Sequence, residues 1–304
     1  MRTGHAQVAG AEALRARLRA GPPLLLDGAL GTELERRGSS AALPLWSTHA
    51  LLRDPALVQA VHADYVAAGA EVLTANTFRT QRRVLARAGI GERARELTAL
   101  AVDLARRAAA AGPGRVFVVG SAPTLEDCYE PERVPDDGAL AAEHAEHARH
   151  LAAAGVDAIL VETMNTIREA VAAARAARAQ GLPCLVSFVC WRGATLLGGE
   201  PLDEALAAAA AEGAEAVFVN CLPVSNVAAC LPALCAARLP WGIYANLGAP
   251  GVLEGPGRAE PWAPAPFAER AAGWVAAGAR VVGGCCGTQP AHIAAIAARL
   301  AARA

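Results

Sequence analysis

The sequence contains no lysine; all 28 of its basic residues are arginine. That absence excludes Schiff-base chemistry, a lysine general base and the Gly-Lys-Ser/Thr end of a phosphate-binding loop. Positive charge is not in excess either. With a formal net charge of −1, the chain lacks the basic footprint of a nucleic-acid or anionic-membrane surface, and neither partner is expected. No apolar run approaches the ~18 residues of a membrane span. The opening "MRTGHAQVAG" has no apolar core of the kind a secretory signal carries. Aromatic residues make up only 4% of the chain, so an aromatic falling near reactive residues is informative.

Against these absences stand eight cysteines in 304 residues. Without a secretory signal the expected location is the cytoplasm, where thiols stay reduced and serve as metal ligands, nucleophiles or small core residues. Hydrophobic residues make up 54% of the chain, enough for a substantial core. No linker divides the sequence, so residues 1–304 read as one domain. Residues 1–20 read as a tail and a short extra helix, "AEALRARLRA", that plugs the bottom of a barrel.

Apolar, strand-like runs recur at residues 24–30, 71–78, 115–122, 157–163, 184–190, 216–221, 241–247 and 280–286. Stretches rich in alanine, leucine and arginine lie between them, at 92–111, 139–154, 166–180 and 264–277, with helical periodicity. Pro55, Asp137, Thr166, Pro201 and Pro290 are placed to open helices. "AAGA", "AAGV", "AEGA" and "AAGA" at 67–70, 153–156, 211–214 and 276–279 each close a helix on glycine just before a strand. Continuous apolar strands alternating with helices imply a parallel sheet covered by helices. Eight such pairs at this length predict a (β/α)8 TIM barrel. The long connections 31–54, 122–138 and 248–263 then all leave the C-terminal strand ends, where barrels keep their active sites.

The reactive residues collect at the same ends: Asp27-Gly28, Asn76-Thr77-Phe78, Glu162-Thr163, Asn220-Cys221, Asn246 and Cys285-Cys286. Cys221 with Cys285 and Cys286 supplies three corners of a tetrahedron, and Zn2+ suits three thiolates with one open position. Adjacent strand residues point to opposite faces, so Cys285 and Cys286 reach one ion only if the backbone bends. The run Gly283-Gly284-Cys285-Cys286-Gly287 permits that bend. Asn246, on the intervening strand, is placed as a fourth ligand through its amide oxygen or as a neighbour of the ligands.

Blander readings compete. Cys128, Cys184, Cys190, Cys230 and Cys235 read as small core residues. A redox pair usually takes the Cys-x-x-Cys form, whereas a vicinal pair would close a strained ring. His144, His147 and His150, interleaved with Glu143 and Glu146, read as a solvated helix face. Asp27 and Glu162 can also be helix-capping or salt-bridge acids.

The segments "DGALGTELERRG", "ANTFRT", "ETMNT", "FVNC" and "GGCCGTQPAHI" resemble, in order, the motifs of the zinc-dependent homocysteine S-methyltransferases. That family includes the homocysteine-binding barrel of methionine synthase and the betaine and S-methylmethionine enzymes. The resemblance spans about residues 24–300. It implies that Cys221, Cys285 and Cys286 are the zinc ligands and that Glu162 holds the amino group of homocysteine. The backbone at Asp27-Gly28 would receive the polar end of the amino acid, with Thr163 and Asn76 in the same substrate site. The small-molecule partners implied are homocysteine and a methyl donor, with a homo-oligomer compatible with the alanine-rich exterior.

For the donor, no cobalamin-binding Asp-x-His-x-x-Gly occurs, which favours a small cationic methyl donor recognised by aromatic faces. Trp46 matches a family position that is often aromatic, and Phe78, Tyr129 and Trp191 follow strands. Arg79 stands where betaine-type enzymes carry an aromatic. It would make a poor wall for a trimethylammonium group but a good partner for a donor carboxylate. The expectation is therefore S-methylmethionine or S-adenosylmethionine as donor and methionine as product. Two alternatives are the acceptor subunit of a corrinoid-dependent system and a zinc- or thiol-binding module without turnover.

Overall fold

The structure, a computed structural model, describes residues 2–248 and 262–302. Most of the 248–263 connection expected at the barrel rim therefore lies outside the described residues. Eight strands are present: β1 (Leu24–Leu25), β2 (Val72–Ala75), β3 (Phe117–Ala122), β4 (Ala158–Met164), β5 (Cys184–Phe188), β6 (Ala216–Pro223), β7 (Trp241–Asn246) and β8 (Val281–Gly284). All neighbouring strands are parallel, in the order β1-β8-β7-β6-β5-β4-β3-β2. A parallel bridge from Leu26 to Val72 joins the two ends, supported by Asp27 N donating to Val72 O at 2.9 Å. The sheet thus closes into a (β/α)8 barrel, as the alternation of runs implied.

The strands lie within the expected runs apart from one added residue at the end of β4 and two at the end of β6. All their residues but Thr74 and Pro223 are buried, because helices cover the outside and side chains fill the inside. Leu24, Leu26, Val72, Val119, Leu160, Leu185, Phe218 and Val281 point inward as one cluster. Their sequence neighbours Leu25, Leu73, Val118, Ile159, Val186, Val217 and Val282 belong to the layer between strands and helices. This alternation is the period-two pattern of a strand buried on both faces. β1 is shorter than expected, because beyond the Leu26 bridge the chain turns away into the helix Gly31–Arg36.

Glycines 69, 155, 213 and 278, expected to close helices, have φ of 99°, 88°, 77° and 112°. This left-handed backbone is where glycine carries no Cβ penalty. Asp54, before Pro55, and Thr166 accept hydrogen bonds from Leu57 N and Glu169 N as helix caps. Asp136, not Asp137, caps the helix Asp137–Ala154.

Two expectations are corrected. The N-terminus is a single helix, Arg2–Arg19, longer than the short helix expected. Its Leu14 and Leu18 do seal the barrel floor against Leu24 and Leu26. The histidines of "EHAEHARH" are not a solvated face. His144 and His147 are buried, with His144 Nε2 3.2 Å from Glu169 Oε1 and His147 Nε2 3.0 Å from Ser121 O. Burial pushes the His147 imidazole down to about 4, so it sits neutral in the packing.

Candidate active site

A cavity of about 410 Å³ opens at the C-terminal ends of the strands, bordered by residues as distant in sequence as Asp27 and Cys286. Its floor carries three sulfurs. Cys221, Cys285 and Cys286 place their Sγ atoms within 4.8 Å of one another, the one such cluster of His, Cys, Asp or Glu ligand atoms found among the described residues.

Backbone irregularity brings them together. β8 stops at Gly284, and Cys285 and Cys286 lie in the turn that follows. Thr288 N and Oγ1 both donate to Cys285 O, at 3.0 and 2.7 Å. A Cβ on Gly284 would overlap the Thr288 side chain, so a larger residue there would open the turn. Gly287 has φ 84°, completing the bend that the glycine flanks suggested. Cys221 itself has φ 54°, where the register between β6 and β7 shifts.

The thiols differ electrostatically. Hydrogen bonds from Cys285 and Cys286 hold Cys221 well below an ordinary thiol, against its burial, with Tyr129 and Asn246 assisting. Cys285 and Cys286 are pushed up in turn, chiefly by their hydrogen bonds to Cys221. The Tyr129 hydroxyl lies 2.9 Å from Cys221 Sγ, and Asn246 Nδ2 donates to the same sulfur at 3.7 Å. Asn246 therefore turns its nitrogen to the thiol, leaving its buried Oδ1 without a hydrogen bond.

Glu162, which lines the same cavity, is buried between two hydroxyls. Ser121 Oγ donates to its Oε1, and Tyr244 OH donates to its Oε2 at 3.1 Å. Burial raises the Glu162 carboxyl to about 7, with the negative charge of Cys221 adding and the two hydroxyls opposing. Asp27 is likewise raised by burial, although its carboxylate accepts from Thr74 N at 2.8 Å and Thr74 Oγ1 at 3.2 Å. Among the described residues neither acid is in a salt bridge, and neither caps a helix. Gly28 has no room for a Cβ, which would meet Tyr65 at 2.8 Å and Thr288 at 2.9 Å.

Thr163 follows Glu162 with φ 60°, at a register shift between β4 and β5. Asn76 lines the cavity, but both ends of its amide engage Ser47: Ser47 Oγ donates to Oδ1 at 2.7 Å, and Nδ2 donates to Ser47 O at 3.0 Å. It thereby anchors the loop that carries Trp46. Trp46 and Phe78 meet edge to face at 5.9 Å beside the cavity. The Arg79 guanidinium carbon stands 5.7 Å from the Phe78 ring centre, and its buried Nε has no hydrogen-bond partner. Arg79 is the one cationic side chain among the described residues lining the cavity.

Trp191 stands behind the lining residues, packing on Tyr129 at 4.7 Å and donating from Nε1 to Cys221 O at 3.2 Å. Asn220, expected at the rim, lines the cavity, whereas Ser121 and Tyr244 were not singled out from sequence. A hydroxyl or phenol interrupting an apolar run ("VVGSA", "GIYAN") was the available signal.

The sequence profile of the family described as Homocysteine S-methyltransferase matches residues 24–300. The chain is similar to the homocysteine S-methyltransferase of Escherichia coli K12, 33% identical with 94% of this chain and 98% of that protein covered. It is also similar to the methionine synthase of Mycobacterium tuberculosis, 30% identical over 90% of this chain but only 24% of that protein. Among solved structures, the metallated form of the E. coli homocysteine methyltransferase MmuM superimposes with a TM-score of 0.81. It is 34% identical, covering 94% of this chain and 99% of that one.

Proposed function

Because the chain belongs to the homocysteine S-methyltransferase family, a family of enzymes that transfer methyl to homocysteine, we propose that it takes the methyl group from a small sulfonium donor and holds Zn2+ on Cys221, Cys285 and Cys286. The donor set fits the ion. Three sulfurs about 2.3 Å from one tetrahedral centre stand roughly 3.8 Å apart, and Cys221 Sγ is 3.9 Å from Cys286 Sγ. Bound there, zinc supplies the charge that keeps the thiol of homocysteine deprotonated and nucleophilic.

The remaining work falls to the protein's own side chains. Glu162, fixed by Ser121 and Tyr244, is positioned for the substrate ammonium, whose charge would draw the buried carboxyl into its ionised form. Asp27 and Gly28 line the same cavity, and Asp27 is near enough to feel the Glu162 charge. The Trp46 and Phe78 rings suit a sulfonium, and Arg79, whose Nε has no partner among the described residues, suits the carboxylate of S-methylmethionine or S-adenosylmethionine. The new bond joins the homocysteine sulfur to the methyl carbon. The donor's sulfur–methyl bond breaks, and its electron pair leaves a neutral thioether. No proton moves in that step, so the missing lysine is no handicap.

The observation that carries this reading is the meeting of three thiols and a buried, doubly hydrogen-bonded glutamate in one cavity. With reduced thiols required, we place the protein in the cytoplasm. The test is metal content together with methionine formation from homocysteine, supplying S-methylmethionine, S-adenosylmethionine, betaine and methylcobalamin separately. One zinc per chain and turnover with a sulfonium are expected. Turnover only with methylcobalamin would make the chain a corrinoid-dependent acceptor. Absence of zinc after reduced handling would overturn the ligand assignment.

A further inference from the structure

All three non-glycine residues with positive φ in the described chain line the cavity, and two of them, Thr163 and Cys221, stand at strand ends beside its reactive groups. They sit at corresponding places. Each comes at the C-terminal end of its strand, at φ 60° and 54°, and each marks a shift in register with the next strand. Left-handed backbone is unfavourable for any side chain and most of all for a β-branched one, so surrounding contacts must hold it.

At Thr163 one side chain supplies those contacts. Asn220, on β6, is fully buried, and its amide reaches the two neighbouring strands β5 and β4. Its Oδ1 accepts from Thr163 N at 3.1 Å and from Ser187 Oγ on β5 at 2.6 Å, while its Nδ2 donates to Thr163 Oγ1 at 2.9 Å. Thr163 is therefore pinned at both its backbone and its hydroxyl. Asn220 is the residue immediately before Cys221, so the same anchor fixes the peptide from which the thiol departs.

We infer that Asn220 is a positioning residue that couples the two halves of the site, holding Glu162 through Thr163 on one side and aiming Cys221 on the other. The inference rests on the proposed roles of Glu162 and Cys221 and adds that they are set by one buried amide. If the amide is removed, Thr163 and Cys221 are free to relax toward extended backbone. The carboxylate and the thiol then leave their positions together.

The test is Asn220→Ala, read by the KM for homocysteine and, separately, by zinc affinity in competition with a chelating dye. KM should rise at least tenfold and zinc affinity fall at least tenfold. A second change discriminates positioning from general loosening. Thr163→Gly in the Asn220→Ala background removes the penalty for positive φ at position 163 only. It should return KM to within about threefold of the parent while zinc affinity stays low. General destabilisation would not be relieved at one half of the site alone. Unchanged KM and zinc affinity in folded Asn220→Ala, or no recovery of KM with Thr163→Gly, overturns the inference. If Asn220→Ala does not fold, Ser187→Ala removes one anchor of the amide and should shift both readouts threefold or more in the same directions; no shift overturns it. A parent chain that binds no zinc would overturn the zinc reading and this coupling with it, whereas a zinc-binding parent with an insensitive Asn220 overturns the coupling alone.

Discussion

Burial gives Glu162 its chemistry. Raised from 4.5 to about 7, this carboxyl is largely neutral in the folded protein between those values, where the unfolded chain carries it ionised. A folded pKa above the unfolded one stabilises the protein fully below about 4.5, and that contribution is lost as pH rises through 7. The shift corresponds to roughly 3 kcal/mol. Glu162→Gln should therefore flatten the fall in melting temperature of the ligand-free protein between acid and neutral pH. It should also raise the homocysteine KM on the order of 10- to 100-fold, the worth of a hydrogen bond to a charged group, while zinc content stays at the parent level. In the parent, homocysteine KM should rise as pH falls below about 7, because the ammonium needs the carboxylate. Loss of metal in Glu162→Gln would instead assign the residue to the zinc site. The cysteines offer a paired comparison. Cys221→Ser should lose most bound zinc and most activity, and Cys235→Ser, on an exposed helix position, should keep both. Equal losses would break the assignment.

Elements matter here chiefly through their ends. The connection after β1 carries Gly31, at the start of the helix Gly31–Arg36, and Trp46, and a Cβ on Gly31 would overlap the Trp46 ring. Gly31→Ala should therefore displace that ring, raising the KM of a sulfonium donor several-fold and leaving the homocysteine KM unchanged; steady-state kinetics with each substrate varied separately checks this. Elements also show where pattern reading loses its grip. The helix Asp137–Ala154 is so rich in alanine that its buried and exposed faces differ little in hydropathy. His144 and His147 therefore looked like a polar stripe, and only the neighbouring Glu169 and Ser121 O reveal them as packed, paired side chains. The same holds for Ser121 and Tyr244. Within a strand buried on both faces, nothing local distinguishes a hydroxyl serving a carboxylate from one tolerated in the core.

At the scale of the molecule the barrel divides its labour between two ends. Leu14 and Leu18 of the N-terminal helix close the floor against Leu24, Leu26 and Val72, opposite the cavity that holds Cys221 and Glu162. A mutation at the floor should change stability without touching chemistry. Leu14→Ala is expected to lower unfolding free energy by about 2–5 kcal/mol and to leave kcat and the homocysteine KM as they are. Denaturant unfolding and kinetics on the same preparation test this, and a changed KM would show that the two ends are coupled.

The sequence by itself determined the eight apolar runs, the glycines that close helices before strands, and the clustering of Asp27, Glu162, Cys221, Cys285 and Cys286 at strand ends. These are local: each depends on residue type and spacing within one βα unit, and barrel closure then converts common position at strand ends into proximity. Only the tertiary structure decided how the ends meet: the left-handed turns at Thr163 and Cys221, the reach of Asn220 to β5 and β4, the hydroxyls flanking Glu162, and the Tyr129 hydroxyl beside a thiol. Those depend on contacts between strands far apart in sequence. Their energetics come from burial and cross-strand hydrogen bonds, neither of which exists until the barrel closes.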